Sequence, residues 1–165
     1  MNISENSRVW IYQSNRPFTA TEEEAIKNVL DEFTGQWQAH GEQLAAASEV
    51  RYSRFIILIV DESQAGASGC SIDKSVNLMK EIERRFNVNL FDRFDIAYRH
   101  GDQVLSTHRN GFEQLIKEGK INENTIVFNN LVPTLKDLNS KWEVPFKDSW
   151  HATLFGELVG SKLKA

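Results

Sequence analysis

The pattern of apolar and polar positions predicts a strand and then a helix at the start of the chain. Val9–Gln13 is short, rich in β-forming residues and bounded by polar residues, which is typical of a strand. Apolar residues then recur at helical spacing and predict a helix that ends before Gly41. Thr21 and Glu24 have the spacing of a capping box at its start. The apolar face of this helix comprises Ile26, Val29, Leu30, Phe33 and Trp37.

The middle of the chain predicts two strands and a second helix. Phe55–Val60 contains no polar residue, as expected of a central strand that is covered on both faces. Leu44–Tyr52 predicts a strand before it, and a helix is expected from about Ser71 to Phe86. The apolar face of that helix comprises Ile72, Val76, Met79, Ile82 and Phe86.

The last third of the chain predicts shorter elements. A hairpin is expected around Gly101, and a short helix should stop at Gly119. The segments are a hairpin of Asp95–Arg99 with Gln103–Thr107, a helix near Phe112–Ile116, a strand Thr125–Phe128, and a helix from Pro133 through Leu138. Residues 142–155 are aromatic and irregular.

The element order is β-α-β-β-α-β followed by β-α-β, which predicts an α/β protein of the α+β class. The first six elements match a ferredoxin-like βαββαβ core, with a C-terminal βαβ extension. Because Phe55–Val60 is apolar on both faces, a doubly wound α/β fold is the alternative. We expect one domain over residues 1–165, with a core of 8–100 and an extension of 101–165 packed on it. The aromatic residues available to cover the second face of the sheet are Trp142, Phe146, Trp150 and Phe155.

Composition narrows the functional classes. The 165 residues are 41% hydrophobic and 25% charged, as in an ordinary globular domain. The net charge of −4 and the scattered arginines argue against a nucleic-acid partner. One cysteine permits no internal disulfide, and no apolar run is long enough to span a bilayer, so we expect a cytoplasmic protein without membrane insertion. Homo-oligomerisation is left open.

A glycine-rich loop over residues 61–73 is the most distinctive stretch. It joins the end of the central strand to a helix start, where free N–H groups and the helix dipole favour anions and cofactors. The candidate ligand-binding residues are Gly66, Ser68, Gly69 and Ser71. The loop is not an ATPase phosphate loop, because alignment on Lys74 puts Ser68 and Asp73 where two glycines belong.

Cys70 supports a second hypothesis, a thiol-dependent enzyme. A helix start stabilises a thiolate, and Asp61 or Glu62 could flank the site. The general base would come from His40, His100, His108 or His151. The alternative is that Cys70 is a small buried residue between helix and sheet. A third hypothesis is an interaction module with exposed aromatic residues near the C-terminus. The histidine spacing predicts no metal site, and no cofactor is expected.

Three segments together resemble a known family. They are Arg8–Gln13, Asp61–Asp73 and Trp142–His151, and the similarity extends over nearly the whole chain. The segments resemble those of an uncharacterised bacterial family of single-domain proteins that often carry the label "ABC transporter ATPase". The resemblance implies no role for individual residues. The label itself is not supported, since the phosphate loop and the Leu-Ser-Gly-Gly-Gln signature of such ATPases are missing.

Overall fold

The apolar run at Phe55 forms the middle strand of an antiparallel sheet in the computed structural model, which describes residues 3–155. The elements are β1 (Arg8–Gln13), α1 (Ala20–Gln36), β2 (Gln38–Ala39), β3 (Glu42–Gln43), β4 (Ala45–Arg51), β5 (Phe55–Asp61), α2 (Gly69–Phe86), β6 (Ile96–His100), β7 (Gln103–Thr107), α3 (Arg109–Lys117), β8 (Ile126–Phe128), α4 (Leu135–Lys141) and β9 (Glu143–Pro145). A 3₁₀ turn, Phe146–Asp148, and a helix that includes residues 151–155 follow.

The first sheet has the strand order β1-β5-β4 and carries both long helices on one face. Alternate residues of β5 point to that face because side chains on a strand alternate between its two sides. The cluster formed there includes Ile56, Leu58 and Val60 of β5, Ile26 and Leu30 of α1, and Met79 and Ile82 of α2. All these side chains are at most 2% exposed, so this layer is the hydrophobic core of the first sheet.

The mixed α+β class is confirmed, but the predicted sixth element is not a strand of this sheet. Every strand pairing recorded within residues 3–155 is antiparallel, so the doubly wound alternative is wrong. The sequence predicts a fourth strand at Asp95–Arg99, whereas β6 belongs to a second sheet with the order β7-β6-β8-β9. Local patterning predicts that a segment is a strand, but not with which strand it pairs.

The outer edge of β1 is paired with a segment that lies far along the chain. The N–H of Val9 donates to the carbonyl of Pro133 at 3.0 Å, and the N–H of Leu135 donates to the carbonyl of Ser7 at 2.8 Å. An antiparallel bridge joins Arg8 and Thr134. This segment therefore occupies the edge at which a ferredoxin-like sheet would hold its fourth strand.

Contacts divide the described residues into two units, residues 3–92 with 131–139 and residues 93–130 with 140–155. The hairpin β6–β7 lies wholly in the second unit, rather than straddling the predicted boundary at residue 100. Phe146 and Phe155 pack in the core of the second unit, with Phe112 and Tyr98 among their cluster. The expectation of one domain stays a prediction.

The start of α1 differs by two residues from the predicted start. The N-cap is Thr19, whose hydroxyl accepts from the N–H of Glu22 at 3.1 Å, while Glu22 accepts from the N–H of Thr19 at 2.9 Å. Arg16 donates twice to the Glu22 carboxylate, at 2.8 and 2.9 Å, and to the carbonyl of Phe86 at the end of α2. This ion pair favours the Thr19 box over the Thr21 box. Within residues 3–155, no helix is both long enough and apolar enough to span a bilayer.

Candidate functional site

The glycine-rich loop is closed by its own side chains. The carboxylate of Asp61 accepts from the N–H of Ser63 at 3.0 Å, and that bond holds the pKa of Asp61 below its ordinary value. The carboxylate of Glu62 accepts from the N–H of Ala67 at 2.9 Å, across the turn that contains Gly66. The two acidic residues that were expected to flank a thiol site therefore organise the loop, and Glu62 occupies an N–H group that an anion would otherwise bind.

The start of α2 carries a second reciprocal cap. Ser68 is the N-cap, its hydroxyl accepts from the N–H of Ser71 at 3.2 Å, and the hydroxyl of Ser71 accepts from the N–H of Ser68 at 2.7 Å. Ser71 is 1% exposed. Its N–H is thus directed to Ser68 and not outward, contrary to the sequence expectation. Gly69 is exposed in the first turn, and the assignment of this loop as a ligand site stays a prediction.

Cys70 is exposed in the first turn of α2. The alternative of a small buried residue that packs the helix on the sheet is therefore wrong. No described residue forms a hydrogen bond with its thiol. Among the candidate bases, His40 is exposed in the β2–β3 turn and His151 is buried in the second unit. The described residues contain no cluster of metal-ligating side chains.

A groove of about 340 Å³ lies between α1 and α2. Its apolar lining comes from Val29, Phe33 and Trp37 on the α1 side and Leu78 on α2. Its polar lining comes from Glu32, Gln36, Gln38 and Lys74. A volume of this size lies at the small end of the range of ligand sites, roughly 300–1,000 Å³.

Trp37 connects the groove to the glycine-rich loop. It is the C-cap of α1, and its indole Nε1–H donates to the carbonyl of Ser71 at 2.8 Å. Its ring packs against Phe33 at 5.0 Å between centroids and against Trp10 of β1 at 6.0 Å in an edge arrangement. Trp37 is only 2% exposed, so the ring is fixed on several sides and forms a rigid wall of the groove.

The polar side chains of the groove are not engaged elsewhere. Within residues 3–155, Glu32, Gln36, Gln38 and Lys74 form no side-chain hydrogen bond or ion pair. They stand beside four apolar side chains, so the groove presents both apolar surface and polar groups to a ligand. Ligand atoms would therefore meet polar groups that need not break an existing contact.

The sequence does not predict the groove. Its periodicity places Phe33 and Trp37 on the apolar face of α1, and Lys74 is notable only as the position of a phosphate-loop lysine. Leu78 is not on the predicted apolar face of α2. The available clue is that the apolar face of α1 continues to Trp37, the C-cap of the helix.

These features define the class as an α+β protein with a small-molecule-sized groove on the helical side of a three-stranded antiparallel sheet. Comparisons with protein-family profiles, with curated proteins and with solved structures find no match to this chain.

Proposed function

We propose that this protein binds a small molecule in the groove between α1 and α2. The observation that carries the proposal is the combination of a 340 Å³ groove, an apolar lining and four unengaged polar side chains at its sides. Burying the apolar part of a ligand against Phe33 and Leu78 supplies the favourable free energy, at roughly 25 cal/mol per Å². The polar side chains then orient the ligand.

The glycine-rich loop helps to position one wall of the groove. The capped turn at Ser68 fixes the carbonyl of Ser71, and that carbonyl holds the indole of Trp37. In this proposal the loop positions a wall of the groove. A direct anion site at Gly66–Ser71 is less favoured, because Glu62 and Ser68 already accept from N–H groups of the loop.

The test is a ligand screen read by NMR on the full chain, followed by a blocking variant. Hits should shift the backbone amides of residues 29–38 and 74–78 together. Gln36→Trp adds a bulky ring at an exposed side of the groove and should weaken binding by about tenfold or more, a loss of about 1.4 kcal/mol. Asn28→Trp adds the same ring to α1 at an exposed position outside the groove, and should bind like the wild type.

Two outcomes would contradict the proposal. Hits could shift residues only outside the groove, which would move the site elsewhere on the protein. Alternatively, Gln36→Trp could bind every hit as tightly as Asn28→Trp does, which would show that the groove is not occupied.

The thiol enzyme stays a second proposal, since Cys70 is exposed. It requires an accessible base, and the purified protein should then react with a substrate analogue at Cys70 in a pH-dependent way. The interaction module has less support: Trp142 and Phe155 are each 1% exposed, and Trp150 is 38% exposed.

Membership of the bacterial family that carries the ATPase label also stays a proposal, without the activity that the label implies. Asp73 and the Glu62 carboxylate at the loop disfavour a triphosphate. The purified protein should show no Mg²⁺-dependent ATP hydrolysis above that of a mock preparation.

A further inference from the structure

The two walls of the groove carry opposite charges. Glu32 stands on α1 and Lys74 stands on α2, and they are the charged residues among those that line the groove. They form no ion pair with each other or with any other described residue. Both side chains are exposed, and an exposed charge gains a small free energy from an opposite charge on a ligand, so each wall has a preference of its own.

The other polar side chains that line the groove favour neither a cationic nor an anionic ligand group. Gln36 lies one helical turn beyond Glu32 on the same wall, and Gln38 follows the end of α1. A glutamine amide both donates and accepts, so it tolerates a cation or an anion. The preference for a cation at one wall and an anion at the other therefore comes from Glu32 and Lys74.

The apolar lining of the groove offers a ligand no hydrogen bond from its tryptophan. The only donor of the Trp37 ring is Nε1, and the carbonyl of Ser71 already accepts it. Phe33 and Leu78 add only apolar surface. A polar group in the middle of the ligand would lose water there without replacement, so the middle of the ligand should be apolar.

We infer that the ligand is a zwitterion with an apolar body, its cationic group towards Glu32 on α1 and its anionic group towards Lys74 on α2. This inference rests on the proposed function and specifies the ligand class of the same groove. The charge complementarity of the two walls and the apolar lining between them carry it.

The test measures dissociation constants by NMR titration of the full chain with matched benzene derivatives. The zwitterion is 4-(aminomethyl)phenylacetic acid, the anion is 4-methylphenylacetic acid, the cation is 4-methylbenzylamine, and the neutral compound is p-xylene. The zwitterion should bind about threefold to fivefold more tightly than either singly charged compound, since each exposed ion pair adds a small increment. If all four bind equally in the groove, the inference is wrong and the proposed function stands. If none shifts the groove amides, the inference is also wrong, and the ligand screen with Gln36→Trp decides the proposed function separately.

Variants then assign the charges. Glu32→Gln should remove the advantage of the zwitterion over the anion, and Lys74→Gln should remove its advantage over the cation. Glu24→Gln and Lys80→Gln change the same residue types at exposed positions of the same helices and should leave both ratios unchanged. The charge-swapped double variant Glu32→Lys with Lys74→Glu should restore the preference for the zwitterion. The inference would be overturned if Glu32→Gln or Lys74→Gln left both affinity ratios of the zwitterion unchanged. It would also be overturned if the charge-swapped double variant did not restore those ratios.

Discussion

The indole Nε1–H of Trp37 donates to the carbonyl of Ser71 at 2.8 Å, and the bond joins the end of α1 to the first turn of α2. Trp37 and Ser71 are 2% and 1% exposed, so the bond lies away from water. It fixes a wall of the groove and the capped turn of the glycine-rich loop at the same time.

Trp37→Phe should destabilise the protein by roughly 1–3 kcal/mol, because the carbonyl of Ser71 loses the indole donor and the ring loses volume. Urea unfolding followed by circular dichroism measures the change. Trp150→Phe is the matched control, since Trp150 is 38% exposed and should change stability by less than about 0.5 kcal/mol. Equal effects of the two variants would mean that the bond to Ser71 contributes nothing.

Two glycines within helices should respond oppositely to alanine. Nothing lies within 4 Å of a methyl group added at Gly35 in α1, so Gly35→Ala should stabilise by roughly 0.5–1 kcal/mol through helix propensity. At Gly111 in α3 the added methyl would overlap the hydroxyl of Thr107, so Gly111→Ala should destabilise by about 1 kcal/mol or more. Thermal unfolding of the two variants measures whether each change in stability is positive or negative.

Thr107→Ala provides the check on the Gly111 result. In that background the overlap is removed, and Gly111→Ala should become neutral or stabilising. If Gly111→Ala costs the same free energy with and without the Thr107 hydroxyl, the steric explanation is wrong.

His151 should make stability depend on pH. It is 2% exposed, its Nδ1 has no hydrogen-bond partner among the described residues, and its ring stacks on Trp150. Burial lowers its pKa from 6.5 to about 4. The unfolded chain therefore binds the proton at a higher pH than the folded protein, and stability should fall as the pH drops from 6.5 towards 4.

The size of the His151 effect can be measured against a variant. Between pH 7 and pH 5 the wild type should lose about 2 kcal/mol more unfolding free energy than His151→Phe, as linkage gives for this shift. His100→Gln, at an exposed histidine, should behave like the wild type. Glu22 titrates below this pH range in both states, since its ordinary pKa is 4.5 and its pKa in the folded protein is about 2. Parallel profiles of the wild type and His151→Phe would contradict the prediction.

Arg16 should control the titration of Glu22. The two guanidinium bonds, with the N–H of Thr19, lower the pKa of Glu22 to about 2. Arg16→Ala should raise that pKa towards 4.5, because the largest cause of the shift is removed, as seen by carbon-detected NMR of the carboxyl group. Arg109→Ala, which removes an exposed partner of Glu113, is the control and should leave Glu22 unchanged. A Glu22 pKa that stays near 2 in Arg16→Ala would show that the backbone bond dominates.

Cys70 should react with a thiol reagent in the native protein. Because it is exposed, labelling should be complete without denaturant and at a rate close to that in urea, as read by mass spectrometry. The rate in the native protein should not follow the unfolding equilibrium. Labelling that requires urea would contradict the exposed position.

The sequence predicted the bounds of a helix or strand well where its apolar pattern was unambiguous. The prediction failed where two nearby residues were equally suitable as the N-cap of a helix. β5 and α2 lie within two residues of their predicted bounds because their apolar patterns admit one reading. Thr19 and Thr21 each precede a glutamate by three residues, and only Arg16, held between Glu22 and the end of α2, decides between them. That contact spans 70 residues and leaves no local pattern.

The candidate site was predicted less well for a related reason. The sequence correctly placed the glycine-rich loop between β5 and α2, but it could not show that Glu62 and Ser68 would fill the loop's own N–H groups. The groove depends on the space left between the ends of two helices. Such spacing is a property of packing, and the periodicity of Phe33 and Trp37 is the same for a covered face as for a groove wall.

The pairing of residues 133–136 with β1 has a consequence for synthesis of the chain. As the protein emerges from the ribosome, β1, β4 and β5 are complete by residue 61, yet the strip that pairs with the outer edge of β1 is made only some seventy residues later. Until then this edge exposes unpaired backbone groups, which is the feature that nascent chains must protect from association. A stop codon near residue 92 would leave that edge permanently open, so a truncated first unit should aggregate where the full chain does not.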